Sequence, residues 1–219
     1  MEKLIRGIVE FRKGLTPENR ALFARLALGQ KPDALFIACS DSRVVPNLFA
    51  STNPGDVFVL RNMGNLVPPV TSLEDRCAAA AIEFAVLNLK VDDIVVCGHS
   101  ECGAMQALLQ GAADRTCSCF SSWLQYGKES LRKVKEGFEV TPSLAEHNQL
   151  SQINVLQQME HIATYPFVQE RVKAKKLRIQ GWWFDIAQAD VYCYEQGFNR
   201  FVLIDEEEAA LILEREQNR

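Results

Sequence analysis

Two cysteines and one histidine stand directly after short apolar runs, at places where side chains could do chemistry. Cys39 follows the run ALFIA. His99 and Cys102 follow the run IVVC. Zinc takes thiolate and imidazole ligands in tetrahedral geometry, and three protein ligands with one open position are typical of a catalytic zinc site. If the two runs are neighbouring parallel strands, their carboxyl ends bring one imidazole and two thiolates to one point.

Each of these residues also has a structural interpretation. A buried cysteine can serve as a small apolar residue, and a buried histidine can be a hydrogen-bonded part of a core. The surroundings favour a functional site, because the runs SDSR (40–43) and GHSECG (98–103) are polar and lie at strand ends. Turns in a core gain nothing from such polar residues.

Strands alternate with helices in the part of the chain that must position these residues. Continuous apolar runs are typical of strands covered on both faces of a parallel sheet, and they occur at 34–38, 57–60 and 94–97. Good helix formers predict a helix over 77–89. Ser143 and Glu146 resemble a capping box that opens another helix, to about His161.

The C-terminal part predicts further strands and a last helix. A strand over 177–184 precedes two short strands, 191–194 and 201–204, that would form an antiparallel edge. An acidic helix is predicted from about Asp205. The fold class predicted is therefore α/β, with a mostly parallel central sheet, flanking helices and an antiparallel C-terminal edge.

The first thirty residues predict a helical arm of two helices. Thr16 is an N-cap and Pro17 suits the first helical position. Apolar residues recur at helical spacing, and those of the second helix are predicted to be buried; they are Leu4, Ile5, Ile8 and Phe11, then Leu22, Phe23 and Leu26. The apolar face of residues 4–26 is compatible with packing on a partner subunit or on its own chain.

Composition limits the class of protein. The chain has 219 residues, which suits a single domain over 1–219. A net charge of −4 argues against a sequence-independent nucleic-acid binder. No apolar stretch reaches the roughly 18 residues that cross a bilayer, and the charged N-terminus lacks a signal-peptide core, so we expect no membrane partner and a cytoplasmic location. Seven cysteines, an odd number, do not predict a disulfide framework.

Several motifs together resemble the β-class carbonic anhydrases, in the plant-type branch with its many bacterial members. They are CSDSR with Pro46 shortly after it, PGDVFVLRNMGNLVPP, IEFAV, CGHSECGAM and LRIQGWWFDI. The resemblance implies zinc-dependent reversible hydration of carbon dioxide to bicarbonate and a proton, by attack of zinc-bound hydroxide. It also implies a homodimer or a tetramer of dimers, in which the arm of residues 1–30 packs on a partner subunit and the pocket is completed across the interface.

The resemblance assigns a metal and a catalytic pair. Cys39, His99 and Cys102 match the family's ligands of Zn²⁺, and Asp41 and Arg43 match its Asp–Arg dyad beside the metal. Asp41 would orient the reacting water, while Arg43 would lower the pKa of Asp41 and hold its carboxylate off the metal. From the residues alone, an ordinary loop salt bridge explains the pair equally well.

The resemblance also assigns a substrate pocket. Gln30 matches a glutamine that contacts substrate, Phe58 matches a pocket phenylalanine, and Phe84 stands where many members have tyrosine. A backbone N–H near Gly103 would hold bicarbonate. As residues without the resemblance, Phe58 and Phe84 are also ordinary core aromatics, and Gln30 is a solvated loop residue.

The charge of the ligands predicts that residues around the metal must contribute to activating the bound water. Two thiolates cancel the formal charge of Zn²⁺, whereas three neutral histidines would leave it intact. We therefore expect this site to acidify its water less than a three-histidine site does.

Three alternatives remain open. The same fold could hydrolyse carbon disulfide or carbonyl sulfide, because fold does not determine substrate. The chain could be a zinc-stabilised binding protein without turnover. It could also be a thiol-based redox protein that uses Cys117 and Cys119.

Overall fold

A six-stranded sheet forms the centre of the chain, whose residues 1–72, 76–114 and 118–217 are described by a computed structural model. The strands are β1 (Ala34–Cys39), β2 (Val57–Asn62), β3 (Asp93–His99), β4 (Arg178–Asp185), β5 (Asp190–Glu195) and β6 (Arg200–Leu203). Their order is β2-β1-β3-β4-β5-β6. The first four strands in that order run parallel, and β5 and β6 are antiparallel additions. The predicted fold class is confirmed.

Helices cover both faces of the sheet. In the described ranges they are α1 (Glu2–Gly14), α2 (Pro17–Leu26), α3 (Pro46–Phe49), α4 (Cys77–Glu83), α5 (Gly103–Leu109), α6 (Cys119–Leu124), α7 (Lys128–Lys135), α8 (Glu146–Ile162), α9 (Pro166–Lys173) and α10 (Glu206–Gln217). A π-helical segment, Phe84–Leu89, continues α4, so the helix predicted over 77–89 is present with a wider last part. The short helices α3, α5, α6 and α7 were not predicted.

The two faces of the sheet bury different sets of side chains. On one face, Leu35 and Ile37 of β1 pack in a cluster with Ile153 and Val155 of α8. On the other face, Phe36 and Ala38 of β1 pack in a second cluster with Val44 and Phe184. Because both faces are covered, β1 and β3 are buried almost throughout, which explains why their sequences are continuously apolar.

The capping box predicted at Ser143 and Glu146 is wrong. The helix α8 begins at Glu146, but its N-cap is Ala145, and no side chain caps it. The backbone N–H of Leu144 bonds the carbonyl of Thr141, so Ser143 lies inside a turn that precedes the helix. Ser143 is therefore two residues too early to be the N-cap.

The N-terminal arm forms as predicted but is not buried by its own chain. The Thr16 hydroxyl accepts a hydrogen bond from the N–H of Asn19 at 3.2 Å, so the predicted N-cap is confirmed. Neither α1 nor α2 has a buried residue. The expected burial of the α2 face is therefore wrong within this chain, since Leu22 and Leu26 are only partly covered and Phe23 is 40% exposed.

None of the helices in the described ranges has the length and apolarity that crossing a membrane requires.

Candidate metal centre

The carboxyl ends of two adjacent strands carry the first two candidate ligands. Cys39 is the last residue of β1 and His99 the last residue of β3, and the two strands pair in parallel. Cys102 follows after a tight turn and is the N-cap of α5. Glu101 makes that turn possible by adopting a left-handed conformation, with φ of 56°. The predicted adjacency of the two strand ends is confirmed.

The three side chains form one buried group. The two sulfurs and a ring nitrogen of His99 all lie within 4.8 Å of one another. Ligands of a tetrahedral zinc would be separated by about 3.8 Å or less, so these positions are compatible with one shared cation. In the described part of the chain, this group includes no fourth ligand, which is typical of a catalytic rather than a structural zinc site.

The histidine ring is oriented for metal binding. His99 is fully buried, and its Nδ1 lies 2.8 Å from the carbonyl oxygen of Ser100. A hydrogen bond from Nδ1–H to that carbonyl leaves the lone pair on Nε2. Nε2 has no hydrogen-bond partner, although buried polar atoms usually have one. A cation at this point would satisfy it.

A hydrogen bond joins the two thiols. The Cys102 thiol donates a hydrogen bond to the Cys39 sulfur, and this contact holds the pKa of Cys39 below its ordinary value. His99 and the backbone N–H groups of Gly64 and Asp41 lower it by smaller amounts. The same contact and burial raise the pKa of Cys102. A divalent cation would replace the shared proton and deprotonate both thiols. The donor set therefore fits zinc.

The predicted dyad lies beside this group. Both carboxylate oxygens of Asp41 accept hydrogen bonds from the Arg43 guanidinium, at 3.0 Å and 2.8 Å. The guanidinium hydrogen bonds hold the pKa of Asp41 well below its ordinary value. Arg43 also donates to the carbonyl of Glu101 at 3.0 Å, so it ties the β1 loop to the β3 loop. A simple exposed salt bridge would not make this second connection.

A second group of possible ligands consists of Cys193, Glu195 and Glu208, and an arginine already balances the charge of its carboxylates. These atoms also lie within 4.8 Å of one another. The Arg215 guanidinium bridges the two carboxylates, and burial raises the pKa of Cys193 to about 11. The group therefore serves to attach α10 to the sheet.

Known proteins are similar to this chain in both sequence and fold. The profile of the family described as "Carbonic anhydrase" matches residues 34–191. A carbonic anhydrase of Synechococcus elongatus is 41% identical over 195 residues, which cover 87% of this chain and 70% of the relative. One of Pseudomonas aeruginosa is 37% identical over 206 residues, covering 94% of this chain and 93% of the relative. The solved structure of the β-carbonic anhydrase CcaA superposes with a TM-score of 0.86 at 35% identity, covering 94% of this chain and 92% of that one.

This chain belongs to the β-class carbonic anhydrases. Members of the family are lyases, and the chain is an enzyme of that class. A chain from the crystal structures of two tetrameric β-carbonic anhydrases of Sordaria macrospora matches with a TM-score of 0.75 at 31% identity, covering 88% of this chain and 95% of that one.

Within one chain, three of the pocket positions implied by the β-class resemblance lie away from the metal ligands. Phe58 lies four residues before Asn62, the β2 partner of Cys39, and this separation is about 13 Å along the strand. Its ring is 5.8 Å from that of Phe84, which is 42% exposed. Gln30 precedes β1 and is exposed near that same end of the sheet.

The fourth pocket position, Gly103, lies beside the metal ligands. It is the first residue of α5 and directly follows Cys102. Of the cysteines in the redox alternative, Cys119 is exposed at the start of α6, and Cys117 lies outside the described residues.

Two supporting residues were missed by the sequence analysis. Arg61 donates to the carbonyls of Cys39, Asp41 and Val44, at 2.7 to 3.1 Å, and so fixes the loop that carries the dyad. Asn148 accepts from the N–H of Glu101 and donates to its carboxylate, which secures the left-handed turn. Arg61 lies in the motif RNMGN, but nothing in its type or spacing indicates that its partners are carbonyls.

Proposed function

We propose that this enzyme hydrates carbon dioxide reversibly to bicarbonate and a proton, with Zn²⁺ held by Cys39, His99 and Cys102. One observation carries the proposal: two sulfurs and a partnerless buried imidazole nitrogen meet at the ends of β1 and β3, with no fourth ligand among the described residues. The family membership makes carbon dioxide the expected substrate.

The roles of Asp41 and Arg43 follow from their contacts. Zinc at this site would lower the pKa of a bound water molecule from about 15.7 toward the neutral range, though less far than a three-histidine site does, and would so supply a nucleophile. Asp41, whose pKa is held well below its ordinary value, would accept a hydrogen bond from that water and so orient it toward the carbon of the substrate. Arg43 engages both carboxylate oxygens and thereby keeps Asp41 from becoming a metal ligand.

The remaining pocket residues act on the site of a second copy. Phe58 and Phe84 contact each other, and Gln30 precedes β1, so all three lie toward the end of the sheet opposite to the ligands of their own chain. They therefore suit a pocket that is completed across a dimer interface. The two phenylalanines give carbon dioxide an apolar surface, and Gln30 donates to bicarbonate. The N–H of Gly103 would be a second donor.

We propose a homodimer or a tetramer of dimers in the cytoplasm. The apolar face of the N-terminal arm, which its own chain leaves uncovered, supports the dimer.

Metal analysis combined with a carbon dioxide hydration assay tests the proposal. The wild-type enzyme should carry about one zinc per chain and be active, whereas Cys39→Ala should lose both metal and activity. Cys97→Ala is the matched control, because Cys97 is equally buried on β3 but lies outside the ligand group. Zinc retained at full occupancy in Cys39→Ala would refute the ligand assignment.

The same preparations separate the alternative functions. Carbonyl sulfide and carbon disulfide are assayed in parallel, and hydrolysis of either gas without hydration of carbon dioxide would favour the same-fold hydrolase. Protein that holds zinc but turns over none of these substrates at any pH would favour the zinc-stabilised binding protein. Activity that resists chelation but is lost on alkylation would favour the redox protein.

A further inference from the structure

A backbone N–H group points at one of the metal-binding sulfurs. The N–H of Gly64 donates to the Cys39 Sγ at 3.3 Å. Gly64 adopts a φ of 76°, and a Cβ built on it would lie 3.0 Å from both the Ala104 Cβ and the Met105 Cε. Only glycine fits this left-handed turn against α5, so the position of this N–H is tightly constrained.

Side chains hold the peptides on both sides of Gly64. The Trp123 indole N–H donates to the carbonyl of Met63 at 2.7 Å, and this carbonyl belongs to the same peptide unit as the Gly64 N–H. On the other side, the Asn154 side-chain NH₂ donates to the carbonyl of Gly64 at 3.0 Å. The peptide group between Met63 and Gly64 thus accepts a hydrogen bond from Trp123 and donates one to Cys39. Hydrogen bonds linked in this way polarise one another.

The Asn154 amide has one orientation that satisfies its neighbours. Asn154 is fully buried. Its Oδ1 accepts from the Gln158 Nε2 at 2.9 Å and from the Ser130 hydroxyl at 3.2 Å. With Oδ1 used by two donors, the NH₂ group must face Gly64.

We propose that Trp123 and Asn154 are positioning residues for the metal centre, because together they hold the Gly64 N–H against the Cys39 sulfur. The inference rests on the proposed metal site, but it concerns the ligand sulfur and not the reaction. A hydrogen bond to a thiolate draws electron density from the sulfur, so the sulfur donates less to a bound cation. In a site with two thiolates, this withdrawal preserves the positive charge that activates water.

The test uses enzyme in which cobalt(II) replaces zinc, because sulfur-to-cobalt charge transfer gives a near-ultraviolet band that reports the electron density of the thiolates. Trp123→Phe keeps an aromatic ring beside Tyr126 but removes the indole donor. Trp182→Phe is the matched control, since the Trp182 indole also donates one hydrogen bond, at 3.3 Å to Gln180, away from the ligands. We expect the band of Trp123→Phe to move to longer wavelength and that of Trp182→Phe to stay at the wild-type position.

A second variant tests the other side of the turn. Asn154→Asp keeps the acceptor for Gln158 and Ser130 but places an oxygen against the Gly64 carbonyl. We expect the same displacement of the band to longer wavelength. If Asn154→Asp does not fold, Trp123→Phe decides the question with the control.

A measurement on the unmodified sequence removes dependence on any variant. In enzyme loaded with cadmium-113, a hydrogen bond from N–H to a ligand sulfur transmits scalar coupling, so the Gly64 amide proton should couple to the metal. Absence of this coupling, or identical bands for Trp123→Phe and Trp182→Phe, would overturn the inference. Failure of the proposed function looks different, because the protein would then bind neither cobalt nor zinc, or would bind zinc without hydration.

Discussion

Asp41 has an environment that its residue type alone does not suggest. Its side chain is 17% exposed, yet three donor groups of Arg43 converge on its two oxygens. These bonds keep the carboxylate ionised and engage both of its oxygens. A carboxylate held in this way can accept a hydrogen bond from a water molecule without binding the cation.

Replacing Asp41 by asparagine should therefore separate metal binding from turnover. Asp41→Asn should retain zinc, because the ligands are untouched, and should lose about 10²- to 10⁴-fold in the hydration rate, because the acceptor that orients the water is lost. Stopped-flow hydration and metal analysis measure both. Asp114→Asn, which breaks an exposed ion pair with Lys128, is the control. Near-normal turnover in Asp41→Asn would remove this residue from the mechanism.

His161 makes the folded state sensitive to pH. Burial is the main cause that lowers its pKa from 6.5, although its Nδ1 lies 2.7 Å from the carbonyl of Val67. The unfolded chain therefore takes up a proton at a higher pH than the folded chain does. Stability is complete above the unfolded pKa and is lost as pH falls through the lower folded value.

His161→Asn should reduce this dependence, since an asparagine Nδ2 can donate to the same carbonyl and does not titrate. Between about pH 7.5 and about pH 5.5, one unit on either side of the ordinary histidine pKa, the zinc-loaded wild type should lose more unfolding free energy than the variant. Denaturant titration at each pH measures the difference. Equal losses in both proteins would show that His161 does not cause the acid sensitivity.

At the scale of elements, β3 and α8 approach unusually closely. A Cβ on Gly98 would lie 2.7 Å from the Val155 Cγ2, 3.1 Å from the Ser151 Oγ and 3.2 Å from the Ser151 carbonyl oxygen. The backbone of α8 cannot move aside cheaply, because the Ser151 hydroxyl also donates to the carbonyl of His99 at 2.8 Å. This contact sets the distance between the helix and the end of the strand that carries the candidate ligand His99.

Gly98→Ala should therefore destabilise the fold by about 1–3 kcal/mol through overpacking. Gly197→Ala should change the stability by less than about 0.5 kcal/mol, because a Cβ there meets nothing within 4 Å. Thermal or denaturant unfolding distinguishes them. If the two variants have equal stability, the close approach of β3 and α8 is not a real constraint.

The elements differ in how well the sequence predicts them, for a physical reason. The strands of the parallel sheet could be predicted, because burial on both faces leaves a local trace of continuous apolar residues, as at 34–38. The candidate ligands Cys39 and His99 could be brought together from the sequence because each ends such a strand. The N-cap at Thr16 could be predicted because its partner is three residues away.

The hydrogen bonds between α8 and the segment 64–70 could not be predicted. The backbone of this segment is held by side chains of α8 and of the turn after it, which are 90 to 97 residues distant in the chain; they are Asn154, Gln158, His161, Thr164 and Tyr165. No local pattern encodes such partners. The only trace in the sequence is a helix that is buried on most sides yet rich in asparagine, serine and glutamine.

At the scale of the whole molecule, the apolar face of the N-terminal arm is left uncovered in a single chain. Leu4, Ile8 and Phe11 are 66%, 67% and 60% exposed. Phe11 meets Phe23 edge-on at 6.1 Å, so the two helices contact each other but leave their apolar surface open. Contiguous apolar surface of this kind is typical of an interface between protein chains.

A charge in this surface should weaken the assembly. Ile8→Glu should shift the enzyme from dimer or tetramer toward monomer in analytical ultracentrifugation, because a carboxylate would be desolvated at the interface. Glu10→Gln, on the same helix, changes a residue that pairs with Lys13 at the surface and should leave the assembly intact. An unchanged sedimentation coefficient for Ile8→Glu would show that the arm is not at the interface.

The placement of the pocket residues allows a test of whether two chains share one site. If Phe58 serves the ligands of its partner, a chain with Phe58→Ala and a chain with Asp41→Asn are each inactive as homodimers but together form one intact site. Random mixing makes half of the dimers mixed, and each has one good site of two, so co-expression should restore roughly a quarter of the wild-type activity. Two variants that act within a single chain would give no more activity than the sum of the separate proteins. The result distinguishes a pocket built by two copies from an aromatic pair, 5.8 Å apart, that only packs the core of its own chain.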